Sequence, residues 1–324
     1  MVNRILYTLP QRMPSPAGGV TVANRHVQHL LHLGYPVYLL PPNGVDLPLW
    51  LEQPAPVWQG PRHVIGVNDV VVFGEYSRKF YEYLSTNEQR AKSVYFCQNH
   101  FGLQAVRSPY GEDRLNPIIS RKNTDCVMVV SHVSAVEVAH QVADVPIAVI
   151  PPEIADDQFR DQEKQKKIAY MPRKWPQVSE QILRRFRFRY PDHDDYEFIK
   201  IDGVSASRVA STLATAEIFL SLSRREGLGL PPLEAMASGC LVTGFDGEGG
   251  KDFATKDNGI WCPDGDVEAC VEGLHQLCLN AKRRDRAYHH RRAAGFATAK
   301  RYGRHNFETK LTTFWQRFLT SHHL

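Results

Sequence analysis

The chain is 324 residues long, with a formal net charge of +4, 43% hydrophobic residues and 23% charged ones. That composition is ordinary for a soluble globular protein, and the charge is too small over this length to demand a nucleic-acid partner. At roughly 150 residues per domain the length predicts two domains, and no apolar stretch reaches the ~18 residues needed to span a bilayer.

Arg4-Ile-Leu-Tyr-Thr-Leu9 predicts a first strand, entered with no charged and then apolar leader. A turn holding Pro14, Pro16, Gly18 and Gly19 follows, and Val20 to Leu33 predicts a helix closed by Gly34, with Val20, Ala23, Val27, Leu30 and Leu31 at helical spacing. Pro36 to Leu40 is the next strand, so the chain opens as the βαβ unit of a parallel sheet. Gly18 and Gly19 permit close backbone approach to an anion at the helix N-terminus; the spacing falls short of a full dinucleotide fingerprint, and a plain turn is the other reading.

Asp69 to Gly74, Ser93 to Cys97, Asp125 to Val130 and Val145 to Ile150 predict further strands, the first and third as nearly continuous buried runs. Three of them end in Gly74-Glu75, Gln98-Asn99-His100 and Ser131-His132, and strand ends of this kind line the cleft of a doubly wound sheet. His100 or His132 could therefore face a substrate, with a solvated or core histidine as the alternative for each. Pro151-Pro152 and the charged segment from Ala155 to Lys167 mark a domain boundary.

The α/β rhythm then restarts. Lys167 to Met171 predicts a strand ending at Pro172-Arg173-Lys174, followed by a helix over Val178 to Phe188, a strand over Glu197 to Ile201 and a helix over Ser205 to Ala214. Ala216 to Leu222 is a buried strand, with Glu226 in the glycine turn after it. Pro231-Pro232 open a helix with Glu234 in its first turn and Gly239 as its stop. Cys240 to Phe245 is a strand, Asp246 to Lys251 a loop, and Gly259 to Trp261 a short strand; a helix over Val267 to Leu279 starts behind the N-cap Asp266. The basic C-terminal stretch is helical, with Phe307, Leu311, Phe314 and Phe318 at amphipathic spacing.

The predicted fold class is α/β, two Rossmann-like domains facing across a cleft with a C-terminal helical tail. Residues 1–154 are expected to form the first domain, 155–302 the second, and 303–324 a helix packing back on the first domain. The six cysteines, Cys97, Cys126, Cys240, Cys262, Cys270 and Cys278, form no C-x-x-C pair. They read as reduced, small hydrophobes of a cytoplasmic protein.

Arg173-Lys174 at a strand end beside the glycines Gly227 and Gly229 suits a diphosphate, the bland alternative being a solvated charge pair. Glu226 and Glu234 are acceptor-only groups that bind hydroxyls, which suggests a sugar at one end of that site and a ribose at the other. General acid/base work by the two glutamates is the rival. No His, Cys and Asp cluster stands at metal-ligand spacing, so a diphosphate here would be neutralised by Arg, Lys and helix N-termini.

Glu226-Gly-Leu-Gly-Leu-Pro-Pro-Leu-Glu-Ala-Met-Ala-Ser-Gly239 resembles the E-x7-E signature of the retaining nucleotide-sugar glycosyltransferases of family 4, which have the GT-B fold. Ala216-Glu-Ile-Phe-Leu-Ser resembles the strand before that motif, Asn258 to Asp266 a later segment of it, and Gly18-Gly19 the first-domain glycine loop. The resemblance implies that Glu226 contacts hydroxyls of the donor sugar, Glu234 contacts the ribose, and Arg173 and Lys174 hold the diphosphate. Gly227, Leu228, Gly229 and Leu230 would line the donor, with Gly18 and Gly19 approaching from the other domain. His100 would stand near the sugar. The family spaces its Arg and Lys several residues apart, whereas here they are adjacent.

The implied reaction is metal-independent, retaining transfer of a hexosyl or deoxyhexosyl group from a nucleotide-diphosphate sugar to a hydroxyl of a saccharide, lipid-linked or small-molecule acceptor. No cofactor beyond that co-substrate is implied. A nucleotide-sugar epimerase using Glu75 and a non-catalytic nucleotide-sugar binder are the alternatives. The basic runs at Arg184 to Arg189, Lys282 to Arg286 and Arg291-Arg292 read as solvated helix faces or as a peripheral contact with anionic lipid at the inner face of a membrane.

Overall fold

The computed structural model describes residues 4–14, 18–75, 91–102, 124–142, 144–155 and 157–320, and Pro16 of the expected turn lies outside them. The chain divides into two compact units, one of Met1–Pro152 with Phe307–Leu324 and the other of Glu153–Asn306.

In the first unit the order is β1 (Arg4–Thr8), α1 (Gly18–His32), β2 (Val37–Leu40), β3 (Asp69–Phe73), β4 (Lys92–Cys97), β5 (Cys126–Val129), α2 (His132–Ala139) and β6 (Ile147–Val149). All six strands are parallel, in the order β2-β1-β3-β4-β5-β6. The unbroken apolar runs of β3 and β5 suit a sheet covered on both faces, and Val70 to Val72 and Val127 to Val129 are at most 2% exposed.

In the second unit β7 (Gln165–Tyr170), α3 (Pro176–Arg189), β8 (Glu197–Lys200), α4 (Ala206–Thr215), β9 (Ala216–Glu226), α5 (Leu230–Ala237), β10 (Leu241–Glu248), β11 (Ile260–Cys262), α6 (Val267–Arg283) and α7 (Arg286–Lys300) follow. The sheet order is β11-β10-β9-β7-β8, again parallel throughout. Helix starts follow local chemistry: Ser205, Asp266 and Asp285 each cap a helix by accepting a backbone N–H three residues on.

The last helix, α8 (Arg304–Thr320), buries Phe307, Leu311, Phe314, Trp315 and Phe318. In the first unit the Trp315 ring lies 6.4 Å from Tyr7, the Phe307 ring 5.1 Å from His26, and His29 Nε2 sits 3.0 Å from Thr312 Oγ1. Burial of each such side chain contributes roughly 1.5–3 kcal/mol, so the helix is held by its apolar stripe.

Four expectations shift. Gly18 and Gly19 are the first two residues of α1 rather than part of the turn before it, since the first turn of a helix asks for no intrahelical N–H partner and tolerates glycine there. Glu226 is the last residue of β9 rather than part of a turn, because β10 runs on to Glu248 and pairs with it past a bulge at Asp246. The expected loop from Asp246 is therefore strand as far as Glu248. Glu234 is the fifth residue of α5, with no acid in the helix's first turn, because the helix begins at Leu230, one residue before the prolines. All six cysteines are free and buried, and among the described residues no helix is long and apolar enough to cross a membrane. Of the basic run on α3, Arg185 pairs with Glu268 and Arg189 with both Glu268 and Glu272.

Each sheet has one point where the chain, after adding a strand on one side of its first strand, returns to the other side. That point lies between β1 and β3 in the first unit and between β7 and β9 in the second. In open α/β sheets ligands bind outside the carboxyl ends of the strands at such a switch point.

Candidate active site

At the switch point of the second unit, β7 runs into a short 3-10 turn, Pro172–Lys174, and β9 ends at Glu226. The structure closes the gap between them with an ion pair: Lys174 Nζ is 2.6 Å from Glu226 Oε1, the two side chains being 29% and 24% exposed. The same ammonium donates to the carbonyl of Arg224 at 3.2 Å. Arg225 lies between these two acceptors with φ of +49°, a left-handed conformation that bends the end of the strand around the ammonium. Arg173, next to Lys174, is exposed, and with Met171, Lys174, Ser223, Glu226 and Pro231 it lines a small open cavity.

The turn beyond Glu226 is built for close approach. Gly229 caps α5 with φ of +88°, and no side chain caps the helix. Pro231 and Pro232 follow in the first turn, so the backbone N–H of Leu230 is among the few donors at this helix end. Gly249, the residue after β10, packs on the turn so tightly that a Cβ there would lie 2.4 Å from the backbone of Gly227. Leu228 is buried behind the turn at 3% exposure, whereas Glu234 is half-buried. Side chains on a helix lean toward its N-terminus, so Glu234 leans back toward this turn from one turn inside α5.

In the first unit, the strand ends are tied to one another. Gln98 Nε2 donates to the carbonyl of Gly19 at 3.1 Å, and a Cβ at Gly19 would meet the Gln98 side chain at 3.1 Å, while one at Gly18 would meet nothing within 4 Å. Asn99 N–H donates to Glu75 Oε1 at 2.6 Å, and burial pushes the Glu75 carboxyl above its ordinary range against the pull of that hydrogen bond. His100 is 3% exposed, its Nδ1 3.0 Å from Ser134 Oγ, whereas His132 is exposed at the start of α2. Gly19, Glu75, Gln98, Asn99 and His100 thus share the carboxyl edge of the first sheet, and Arg173, Lys174, Glu226 to Leu230 and Glu234 that of the second.

Two residues that sequence patterns did not single out complete the second cluster. The Arg224 guanidinium lies 4.5 Å over the Trp175 ring, which packs in turn 5.2 Å from Phe245. Both are sequence neighbours of assigned residues, and an arginine pair directly before an acid was the available signal. The larger cavity lies elsewhere: a groove of about 700 Å³ between β6 and α8 in the first unit, lined mostly by apolar side chains such as Ile147, Val149, Phe314 and Phe318. Charge and the switch point, not volume, locate the site.

Residues 197–293 match the family model described as glycosyl transferases group 1. A 105-residue stretch is 40% identical to an alpha-1,6-glucosyltransferase of Actinobacillus pleuropneumoniae serotype 7 (strain AP76), a match covering 32% of this chain and 32% of that protein. The similarity thus spans about a third of that relative's length. Over the whole chain, sucrose-phosphate synthase from Thermosynechococcus elongatus superposes with a TM-score of 0.72 at 12% identity, covering 98% of this chain and 99% of that one. Anabaena HepE in complex with UDP-glucose gives 0.69 at 11% identity over 97% and 99%. A glycosyltransferase from Rickettsia africae ESF-5 gives 0.66 at 14% identity over 98% of both chains. Two parallel-sheet α/β units with a C-terminal helix are the GT-B fold of these neighbours, and the part of the second unit that ends β9 and builds α5 is similar in sequence to glycosyl transferases group 1.

Proposed function

We propose that the protein is a retaining glycosyltransferase that moves a hexosyl group from a nucleotide-diphosphate sugar to an acceptor hydroxyl. The observation that carries the reading is the gathering of Arg173, Lys174, Glu226 and the uncapped start of α5 at one switch point. Cations and the backbone N–H of Leu230 at a helix start suit a diphosphate, and a carboxylate beside them suits sugar hydroxyls. The match of residues 197–293 to glycosyl transferases group 1 supports transfer over epimerisation or mere binding. The alpha-1,6-glucosyltransferase relative and the UDP-glucose complex of a neighbour support a uridine nucleotide, a hexose and an α product.

Arg173, Lys174 and the N–H of Leu230 bind and stabilise the departing diphosphate, and stabilisation of this kind is commonly the largest catalytic term. The acceptor hydroxyl attacks the anomeric carbon from the face the diphosphate leaves, which needs no protein nucleophile. Its proton passes to the leaving phosphate oxygen, and the new bond keeps the donor's configuration. Glu226 orients the sugar and Glu234 the ribose. No metal ligand is assigned to the reaction; the cations of this chain meet the charge.

The test is sugar transfer from UDP-hexoses by the full chain. Arg173→Ala removes one charge-assisted contact, worth about 1.5–3 kcal/mol or roughly 10- to 100-fold in turnover. Normal transfer by both Arg173→Ala and Glu226→Gln would sink the assignment.

A further inference from the structure

The ion pair between Lys174 and Glu226 joins two groups with different tasks, one toward a diphosphate and one toward a sugar. We propose that Glu226 is also a positioning residue for Lys174: without donor its carboxylate holds the ammonium, and an arriving diphosphate takes the ammonium over and releases the carboxylate to the sugar. This rests on the nucleotide-sugar reading and goes beyond it, because it makes sugar recognition conditional on the diphosphate.

The geometry supports an exchange rather than a shared grip. An ammonium has three donors; one meets Glu226 Oε1 at 2.6 Å and a second the carbonyl of Arg224 at 3.2 Å. One donor remains for a ligand, too little for a group with several anionic oxygens.

The two partners differ in freedom of movement. Glu226 ends β9, is paired with Glu248 of β10, and is followed by a turn against which Gly249 is packed without room for a Cβ. Lys174 reaches across on a flexible four-carbon stem from a three-residue 3-10 turn. The lysine is therefore the member that moves. A diphosphate placed beside Arg173 and Arg224 offers it more charge than one carboxylate does, and the exchange leaves each cation with an anion.

The second half of the exchange concerns Glu226. While Lys174 is bound to Oε1, one of the carboxylate's acceptor sites is taken and its charge is neutralised. Once released, it offers its full charge and all its acceptor sites, and sugar hydroxyls are donors that fit them. Binding energy from the diphosphate end is thereby used to complete the sugar end of the site, the coupling expected where a substrate assembles its own binding groups.

The experiment is calorimetric titration of the full chain with UDP, GDP and ADP, in the wild type, Glu226→Gln, Lys174→Met and the double variant, with sugar transfer followed in parallel. Glu226→Gln keeps the shape but drops the competing charge. It is expected to bind the preferred nucleoside diphosphate about two- to fivefold more tightly than the wild type, the scale of releasing one part-exposed pair, while transferring sugar more slowly. Lys174→Met is expected to bind it more weakly, and adding Glu226→Gln to that background is expected to change nothing further. A carboxylate with a purely structural part would give no tightening.

Equal or weaker binding by Glu226→Gln overturns the exchange, and if Arg173→Ala still weakens binding the nucleotide-sugar reading stands. A wild type that binds none of the three nucleotides overturns both.

Discussion

His26 provides a test of the packing between α1 and the last helix. Its ring is 0% exposed, sits 4.8 Å from the Phe96 ring and 5.1 Å from Phe307, and its Nδ1 is 3.3 Å from Tyr7 Oη. Nε2 has no hydrogen-bond partner among the described residues. Burial, with a smaller contribution from nearby His29, pushes the imidazole down from 6.5 to about 3. The sign follows from which state binds the proton. Above pH 6.5 both states hold His26 neutral and its contribution to stability is fully present; as the pH falls below 6.5 the unfolded chain takes up a proton that the folded one refuses, and stability is lost. At pH 5, about 1.5 units below the unfolded value, the loss is about 2 kcal/mol, and it keeps growing down to the folded value near 3. The assay is hydrogen exchange of the α1 and α8 amides at pH 7.5 and pH 5.0, corrected for intrinsic rates, in the wild type and in His26→Phe. Phenylalanine fills the aromatic cluster without titrating, so the wild type is expected to lose about 2 kcal/mol more than the variant between the two pH values. Parallel losses in both proteins would refute the reasoning and place the acid sensitivity on other groups, His29 first among them, since burial lowers it as well.

Two further outcomes are expected. Gly249→Ala places a methyl group 2.4 Å from the backbone of Gly227, so the turn after Glu226 must shift; overpacking of this kind costs about 1–3 kcal/mol, and a thermal melt together with nucleotide titration is expected to show lower stability and weaker binding. Leu311→Ala empties a 0% exposed position of α8; a loss of about 2–5 kcal/mol is expected in urea unfolding, and an unchanged midpoint would mean that the helix is not held by its apolar stripe.

The strands were legible for a simple reason. A parallel strand covered on both faces must be an apolar run, and Val70 to Val72 or Ile218 to Leu220 can be little else. Helix starts were legible where the cap is local, as at Ser205 and Asp266. Non-local pairing was not. That β9 runs through Arg224 and Arg225 to Glu226 depends on β10 carrying a bulge and continuing to Glu248, and nothing within β9 signals it. Trp315 illustrates a different limit: it stands four residues after Leu311, on the same face, and is 0% exposed, yet its neighbour Phe314 fits the stripe as well. His26 on α1 has the residue type of a surface helix position, and its burial comes from Phe96 on β4 and Phe307 on α8, both far away in the chain.

The adjacent pair Arg173-Lys174 shows how local geometry separates residues that a motif treats alike. Successive residues on a 3-10 turn project about 120° apart, since the helix has three residues per turn. Lys174 can therefore meet Glu226 across the switch point while Arg173 stays exposed. A basic dipeptide at a strand end suggests two interchangeable phosphate contacts; here they differ before any ligand arrives, one engaged by an acid and a carbonyl and the other presented to solvent. It follows that the two should respond differently to the same second substitution. The effect of Arg173→Ala on nucleotide affinity is expected to be nearly the same with Glu226 or with Gln at that position, whereas the effect of Lys174→Met is expected to be larger with Gln, where the lysine is no longer held back. Equal dependence of both cations on Glu226 would mean that the pair acts as one unit, and that the ion pair has no separate part in donor binding.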